Sequence, residues 1–359
     1  MKIAIVYDRV NKWGGAERVL LCLHKTFPEA TLFTSVYNPQ TAPWAKVFPA
    51  VKTSFLQKFP LIKTKHEYLG TFMPLAFESL DLTGFDLVIS VTSEAAKGII
   101  TRPDTFHICY CLTPTRYLWS AYELYFKNPF LKFFSQPAVN YLRRWDKIAA
   151  QRPDLMIAIS SEVQKRIKRY YQRDSFLIYP SAGFNRENKP EQKKDFYLVV
   201  NRLVPYKKTD LAVKVFNTLG QTLYIVGTGS EESKLKRIAK KNIKFLGEVS
   251  ESKLVDYYRK AKALIFPQEE DFGIAAVEAQ SLGTPVIAYK AGGSLDTVIE
   301  GETGIFFKEQ TEESLISAIK RFQNLKFEKE KLRKNAERFS EKVFKRQFLS
   351  IINNYINKN

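Results

Sequence analysis

Sulfur and imidazole are scarce in this chain: its 359 residues include three cysteines, three histidines and three methionines. Cys109 and Cys111 fall two apart in an apolar stretch, Cys22 stands alone, and His24, His66 and His107 do not cluster with them. A structural zinc site, which needs four spaced ligands, is therefore not expected, and the thiols read as reduced core residues. Long apolar runs are also missing. Nothing approaches the roughly 20 residues of a spanning helix, and the opening Met1-Lys2-Ile3-Ala4-Ile5-Val6-Tyr7 meets Asp8 without a signal-peptide core, so a cytoplasmic protein is expected. Acid is in deficit: 37 Asp and Glu face 56 Lys and Arg, a formal net charge of +19 with pI near 9.6. Such a surface attracts polyanions, but no helix-turn-helix, zinc-finger or RNP pattern accompanies the cations, so nucleic acid is not an expected partner.

What is present is length and alternation. A 45% apolar chain of this size suits two domains of about 150 to 200 residues. In the first half, short apolar strands alternate with helical stretches, the pattern of a parallel sheet wrapped by helices. Strands are expected at Ile3 to Tyr7, Leu87 to Val91, His107 to Leu112, Leu155 to Ile159 and Leu177 to Tyr179, with a long irregular insert before Leu87. The polar, aperiodic stretch 181–194 reads as a linker. Beyond it the alternation restarts, with strands at Phe196 to Val200, Leu223 to Val226, Ile243 to Leu246, Ala263 to Phe266, Val286 to Ala288 and Ile305 to Phe307. The expected domains are thus 1–180 and 195–335, both α/β and doubly wound, followed by a helix over 336–359. In that tail Val343, Phe344, Phe348, Ile351, Ile352 and Tyr355 share one face, which should pack on protein.

Three segments carry chemistry. In Pro267-Gln268-Glu269-Glu270-Asp271-Phe272-Gly273-Ile274-Ala275-Ala276-Val277-Glu278, a helix starts near Gly273 beside the carboxyl end of a strand, where doubly wound sheets bind ligands. The N–H groups of Phe272, Gly273 and Ile274 suit a diphosphate there. Glu278 lies two turns on, among residues too small to cover it. Read alone, Glu270 is equally a helix-dipole partner and Glu278 a solvated residue, but the following Gly292-Gly293 turn places more glycine beside the same strand ends. In Asn201-Arg202-Leu203-Val204-Pro205-Tyr206-Lys207-Lys208, Arg202 and Lys207 can clamp a leaving diphosphate; as an isolated segment this is a solvated basic loop. Gly14-Gly15-Ala16-Glu17-Arg18 opens a helix and lets backbone approach a phosphate or sugar, though an ordinary strand-to-helix turn explains two glycines as well.

Together, Gly14-Gly15-Ala16-Glu17-Arg18, Arg202 with Lys207, Val226-Gly227-Thr228-Gly229 and the pair Glu270 and Glu278 resemble glycosyltransferase family 4 over essentially the whole chain. The closest branch is the bacterial mannosyltransferase-like one that builds surface polysaccharides, suggested by Tyr110-Cys111-Leu112-Thr113-Pro114-Thr115-Arg116-Tyr117-Leu118-Trp119 and Glu270-Asp271-Phe272-Gly273-Ile274. The resemblance implies a GT-B fold, two Rossmann-like domains facing across a cleft with the C-terminal helix packing back on the first. It implies a retaining, metal-independent hexosyltransferase without a bound cofactor, using GDP-mannose or a UDP-sugar as donor and a polysaccharide or lipid-linked saccharide as acceptor.

By the same resemblance Glu270 contacts the transferred sugar, Arg202 and Lys207 neutralise the diphosphate, and Glu278 holds the ribose hydroxyls. Phe272, Gly273 and Ile274 bind the sugar or phosphate, Gly14 and Gly15 cover the diphosphate, Gly227 lines the donor site, and Val249 meets the base. Arg116 and Tyr117 fall on the acceptor side. One departure stands out: relatives that read Cys-His-Thr-Pro carry a histidine where this chain has Leu112, which donates no hydrogen bond. His107 is an odd number of residues earlier, on the opposite strand face. That departure motivates an alternative, a catalytically weak donor-binding subunit; a nucleotide-sugar epimerase of the same architecture is argued against by the two glutamates. Finally, Lys46 to Lys65 and Tyr117 to Arg144 interleave cations with aromatics, which suits either an anionic membrane surface or a partly buried core.

Overall fold

The computed structural model describes residues 1–59, 70–184 and 192–356. Two compact units result: Met1–Tyr179 together with the chain from Gln347 onward, and Pro180–Arg346.

The first unit holds seven parallel strands, β1 (Ile3–Tyr7), β2 (Thr31–Thr34), β3 (Val51–Thr53), β4 (Leu87–Thr92), β5 (Phe106–Cys111), β6 (Leu155–Ala158) and β7 (Phe176–Leu177), in the order β3-β2-β1-β4-β5-β6-β7. Helices cover a sheet of this kind on both faces, so its central strands bury every residue rather than alternating; β4 and β5 do so throughout. The stretch expected to be an irregular insert contains β2 and β3. They are four and three residues long and carry Thr and Lys, too short and too mixed for a periodicity to register. At the far edge β7 pairs only over Phe176 and Leu177, two residues ahead of the expected end at Tyr179.

Cys22, Cys109 and Cys111 are buried free thiols, and burial pushes the Cys109 thiol up to about 11. The final helix, Glu341–Ile356, turns Phe344, Phe348 and Ile352 inward. Within the first unit Phe348 meets Phe27 and Tyr110, and Tyr355 stacks on Phe106, so from Gln347 on this helix packs on the first unit as expected.

The second unit holds β8 (Tyr197–Val200), β9 (Leu223–Val226), β10 (Ile243–Gly247), β11 (Leu264–Phe266), β12 (Val286–Tyr289) and β13 (Gly304–Phe307), all parallel in the order β10-β9-β8-β11-β12-β13. In each sheet the winding reverses beside the first strand of the unit, between β1 and β4 and between β8 and β11, and loops diverge there at the carboxyl ends of the strands. Most of the expected linker, residues 185–191, lies outside the described residues, as does 60–65 of the basic aromatic segment at Lys46 to Lys65. Among the described residues no helix is long and apolar enough to cross a membrane.

His107 is a core residue of β5, fully buried, with its Nε2 2.8 Å from the Ser90 hydroxyl of β4. Burial, reinforced by the charges of Arg173 and Arg152, pulls its pKa from 6.5 down to about 3. The unfolded chain therefore takes up a proton that the folded chain refuses between those limits, and stability falls as pH falls through that window. The slope from this residue is about 1.4 kcal/mol per pH unit. Urea unfolding at pH 7 and at about pH 5 should show it in the wild type and a flatter dependence in His107→Gln; equal slopes would rule out a neutral buried imidazole.

Candidate functional site

At the switch point of the second sheet, the loop after β8 and the loop after β11 are joined by charge. Pro205–Lys207 forms a short 3-10 turn whose last residue carries its ammonium to the Glu270 carboxylate. Both side chains are mostly sheltered, at 12% and 22% exposure. The neighbouring Gln268, buried just past β11, donates its amide to Glu270 Oε1 at 3.3 Å, and its own Oε1 is buried without a partner. Arg202 sits one loop residue past Asn201, exposed, with its guanidinium 3.0 Å from the Tyr206 hydroxyl.

Two glycines set how tightly these loops nest. Gly227, just past β9, takes φ +125, and a Cβ there would run into the carbonyl oxygen of Asn201. Gly293, past β12, lies so close to Phe272 that a Cβ would strike its backbone, and its N–H donates to the Glu270 carbonyl at 2.8 Å. The loops after β8, β9, β11 and β12 thus form one polar cluster. Phe272 is buried against Phe339, Gly273 takes φ +95, and Ile274 opens the helix Ile274–Ser281.

Glu278 differs from its expectation. Residues of its own helix are small, as read, but Tyr258 from the helix Glu251–Lys260 covers it: Glu278 is buried, and Tyr258 Oη donates to its Oε2 at 2.9 Å. Val249, beyond β10, is half-buried against the core cluster around Leu198 and Phe266. Thus Lys207, Glu270, Phe272, Gly273 and Gly227 share one loop cluster, while the side chains of Glu278 and Val249 engage the flanking core.

The first unit has its own polar centre at the β1/β4 switch point. Asp8, immediately after β1, is buried. Its Oδ1 accepts from the Thr92 hydroxyl and the Ala95 and Ala96 N–H groups at 2.9 Å, and its Oδ2 from the Ser93 N–H at 2.6 Å. That carboxylate fixes the loop after β4 and delivers Glu94 to Arg9, 2.6 Å apart, and to the Tyr117 hydroxyl, 2.9 Å away. Desolvation alone would lower the Arg9 guanidinium, but Glu94 overrides it and holds Arg9 above its ordinary range. Burial, then Glu94, pushes Tyr117 well above the ordinary phenol range, so it stays a donor.

Behind this triad lies a second buried pair. Lys97 Nζ stands 2.5 Å from Asp146 Oδ1, and the same carboxylate accepts from Thr115, Trp119 and Tyr171 at 2.7 to 2.9 Å. Gly14 caps the helix Gly15–Thr26, whose Glu17 is buried and accepts from Tyr7 Oη at 2.8 Å. Arg116 is half-buried next to Tyr117, and Leu112 ends the strand region with its N–H on the Thr92 carbonyl.

The sequence reading missed Asp8, Arg9, Glu94, Lys97 and Asp146. A signal existed for the first two, since a charged pair directly after the first apolar strand falls at the ligand-binding edge of a doubly wound sheet. The others become visible only once β4 and the helix Pro129–Ala149 are in place.

Two units, each a parallel sheet with its polar cluster at the carboxyl switch point, make a pair of Rossmann-like domains, the architecture of GT-B glycosyltransferases. Residues 161–339 match the family model described as Glycosyl transferases group 1, and the chain carries that domain over this stretch. An uncharacterized glycosyltransferase of Methanocaldococcus jannaschii is 27% identical over 206 residues, 56% of this chain and 58% of its own length. The O-antigen chain mannosyltransferase RfbU of Salmonella typhimurium is 27% identical over 197 residues, 52% of this chain and 55% of its own. The chain thus spans little more than half the length of these curated relatives. Among solved structures, HepE of Anabaena in complex with UDP superposes with a TM-score of 0.70 at 18% identity, covering 99% of this chain and 100% of that one. Sucrose-phosphate synthase of Thermosynechococcus elongatus gives 0.77 at 17% identity, with full coverage of both chains. At these identities the superpositions speak for the fold.

Proposed function

We propose that this protein is a retaining glycosyltransferase of family 4. It moves a hexosyl group, mannosyl in the first instance, from a nucleoside-diphosphate sugar to a polysaccharide or lipid-linked saccharide acceptor. The observation that carries the reading is the Lys207–Glu270 pair across the β8/β11 switch point. A cation suited to a leaving diphosphate and a carboxylate suited to the sugar stand side by side there, among loops closed by Gly227 and Gly293, and this supports the reading.

In the reaction the bond from the anomeric carbon to the donor diphosphate breaks, a bond to the acceptor hydroxyl oxygen forms on the same face, and the acceptor proton passes to the departing phosphate. Charge grows on the diphosphate as this happens, so Lys207 and Arg202 contribute most in the transition state. Lys207 and Arg202 can neutralise the departing diphosphate by themselves, which supports a metal-independent reaction. Phe272, Gly273 and Ile274 present backbone to the sugar or phosphate, Glu278 serves the ribose, and Val249 borders the base. In the first unit the proposed contacts are Gly14 and Gly15 with a phosphate or sugar and Arg116 and Tyr117 with the acceptor. The mannosyl preference draws on the Salmonella relative's name; the HepE complex with UDP-glucose keeps a UDP-hexose as the competing donor. A lipid-linked acceptor implies work at the inner face of a membrane, and the basic composition supports it.

Calorimetric titration with GDP, UDP, GDP-mannose and UDP-glucose tests the donor site. One nucleotide series should bind, and Glu278→Gln, which keeps the shape facing Tyr258, should weaken that binding about tenfold, the size of one hydrogen bond to a charged group. Absence of binding by every nucleotide would overturn the reading. Leu112 favours one second reading, a donor-binding subunit with weak turnover, which the same titration followed by a transfer assay separates: donor bound, no sugar moved.

A further inference from the structure

The helix Pro129–Ala149 of the first unit carries two apolar faces. Val139, Leu142 and Ala149 point inward with the buried Asp146, and Trp145 packs partly beneath them. The opposite stripe, at positions 130, 134, 137, 141, 144 and 148, recurs at helical spacing and faces water. On it Phe130 and Phe134 are 77% and 76% exposed, joined by Tyr141 and Ile148, and Phe133 lies beside them at 72%.

A soluble surface scatters single apolar residues; three phenylalanines within five positions on one helical flank are a patch with a purpose. The charge on this helix is one-sided. Its sequence contains Lys132, Arg143, Arg144 and Lys147 against a single acid, Asp146, which is buried and already paired with Lys97. The helix itself thus carries aromatics flanked by Arg144 and Lys147 and no exposed acid of its own, while Lys132 is paired with the exposed Glu123 just before the helix.

We infer that this face is a membrane foot: the Pro129–Ala149 helix lies in the interface of an anionic bilayer, with Phe130, Phe133 and Phe134 inserted and Arg144 and Lys147 at the headgroups. The three rings are about three-quarters exposed, and a lipid surface accepts them without shape matching. The stripe spans about 27 Å at 1.5 Å per residue, long enough to align the first unit along a surface rather than tether it at a point. The inference deepens the reading of a lipid-linked acceptor, but its test does not depend on sugar transfer.

The test is co-sedimentation of the full chain with phosphatidylcholine vesicles, with and without phosphatidylglycerol. Wild type should bind the anionic vesicles in a salt-sensitive way and the neutral ones weakly. The triple change Phe130→Ser, Phe133→Ser and Phe134→Ser should weaken binding at least about tenfold with an unchanged melting midpoint, since these rings are already in water. Arg144→Glu with Lys147→Glu should weaken it by about fivefold or more per site. In Phe133→Trp, brominated lipid should quench fluorescence beyond the wild-type level. No vesicle binding by wild type, equal binding by the triple variant, or equal binding to neutral and anionic vesicles would each overturn the proposal. So would a concentration-dependent dimer that the triple variant abolishes, which would assign the stripe to a second copy of the chain.

Discussion

Lys97→Met is expected to destabilise the first unit by about 3 to 5 kcal/mol, the cost of leaving a buried charge without its counter-ion. Lys97 and Asp146 are each 1% exposed, so water cannot compensate. Burial alone would lower the Lys97 ammonium, and Asp146 reverses this and holds it above its ordinary range. A raised lysine stabilises the fold at every pH below the ordinary lysine range and loses that contribution only as pH rises through it, so the loss should be the same at pH 6 and at pH 8. Thr115, Trp119 and Tyr171 still donate to Asp146 in the variant, which places the expected loss toward the lower end. Asp146→Asn instead removes the counter-charge, leaving the ammonium with neutral partners, the Glu94 carbonyl and the Tyr171 ring among them. Combining the two substitutions should recover part of the sum, with a coupling of about 2 kcal/mol or more in urea unfolding. A single-variant loss below about 1 kcal/mol would mean that the pair is hydrated in solution.

The second large effect concerns turnover. Lys207→Ala should reduce transfer by a factor of about 100 to 1000, the range seen when one preorganised donor to a developing charge is removed. Glu270→Gln should bring a comparable loss in turnover with a smaller change in donor binding, because its proposed contact is with the reacting sugar rather than the phosphate. Both side chains are mostly sheltered, so each change should also cost about 1 to 3 kcal/mol of stability, and turnover is compared at a temperature where the variants remain folded. Full turnover in either variant, measured as sugar moved to acceptor at saturating donor, would remove the Lys207–Glu270 pair from the chemistry.

How much of this was legible beforehand depended on the range of each interaction. Strands buried on both faces announce themselves as apolar runs, so β4, β5 and β9 were readable, whereas β2 and β3 are held by register with β1 and carry little pattern of their own. The loop cluster of the second unit was readable because its parts follow directly on strand ends. The polar centre of the first unit was not, since Asp8 finds its donors 84 to 88 residues away and Lys97 its acid 49 residues away. Glu278 was misjudged for the same reason: its cover comes from Tyr258, on another helix. The aromatic segment Tyr117 to Arg144 reads in sequence as either core or interface; Leu118, Val139 and Leu142 lie inside and the three phenylalanines outside.

Because the first unit closes over Tyr110 and Phe106 with Phe348 and Tyr355, the domain that leaves the ribosome first is finished by residues made hundreds of positions later. Until they emerge, those rings lack their covering partners, and the nascent first domain must wait through the whole synthesis of the second with that part of its core unsealed.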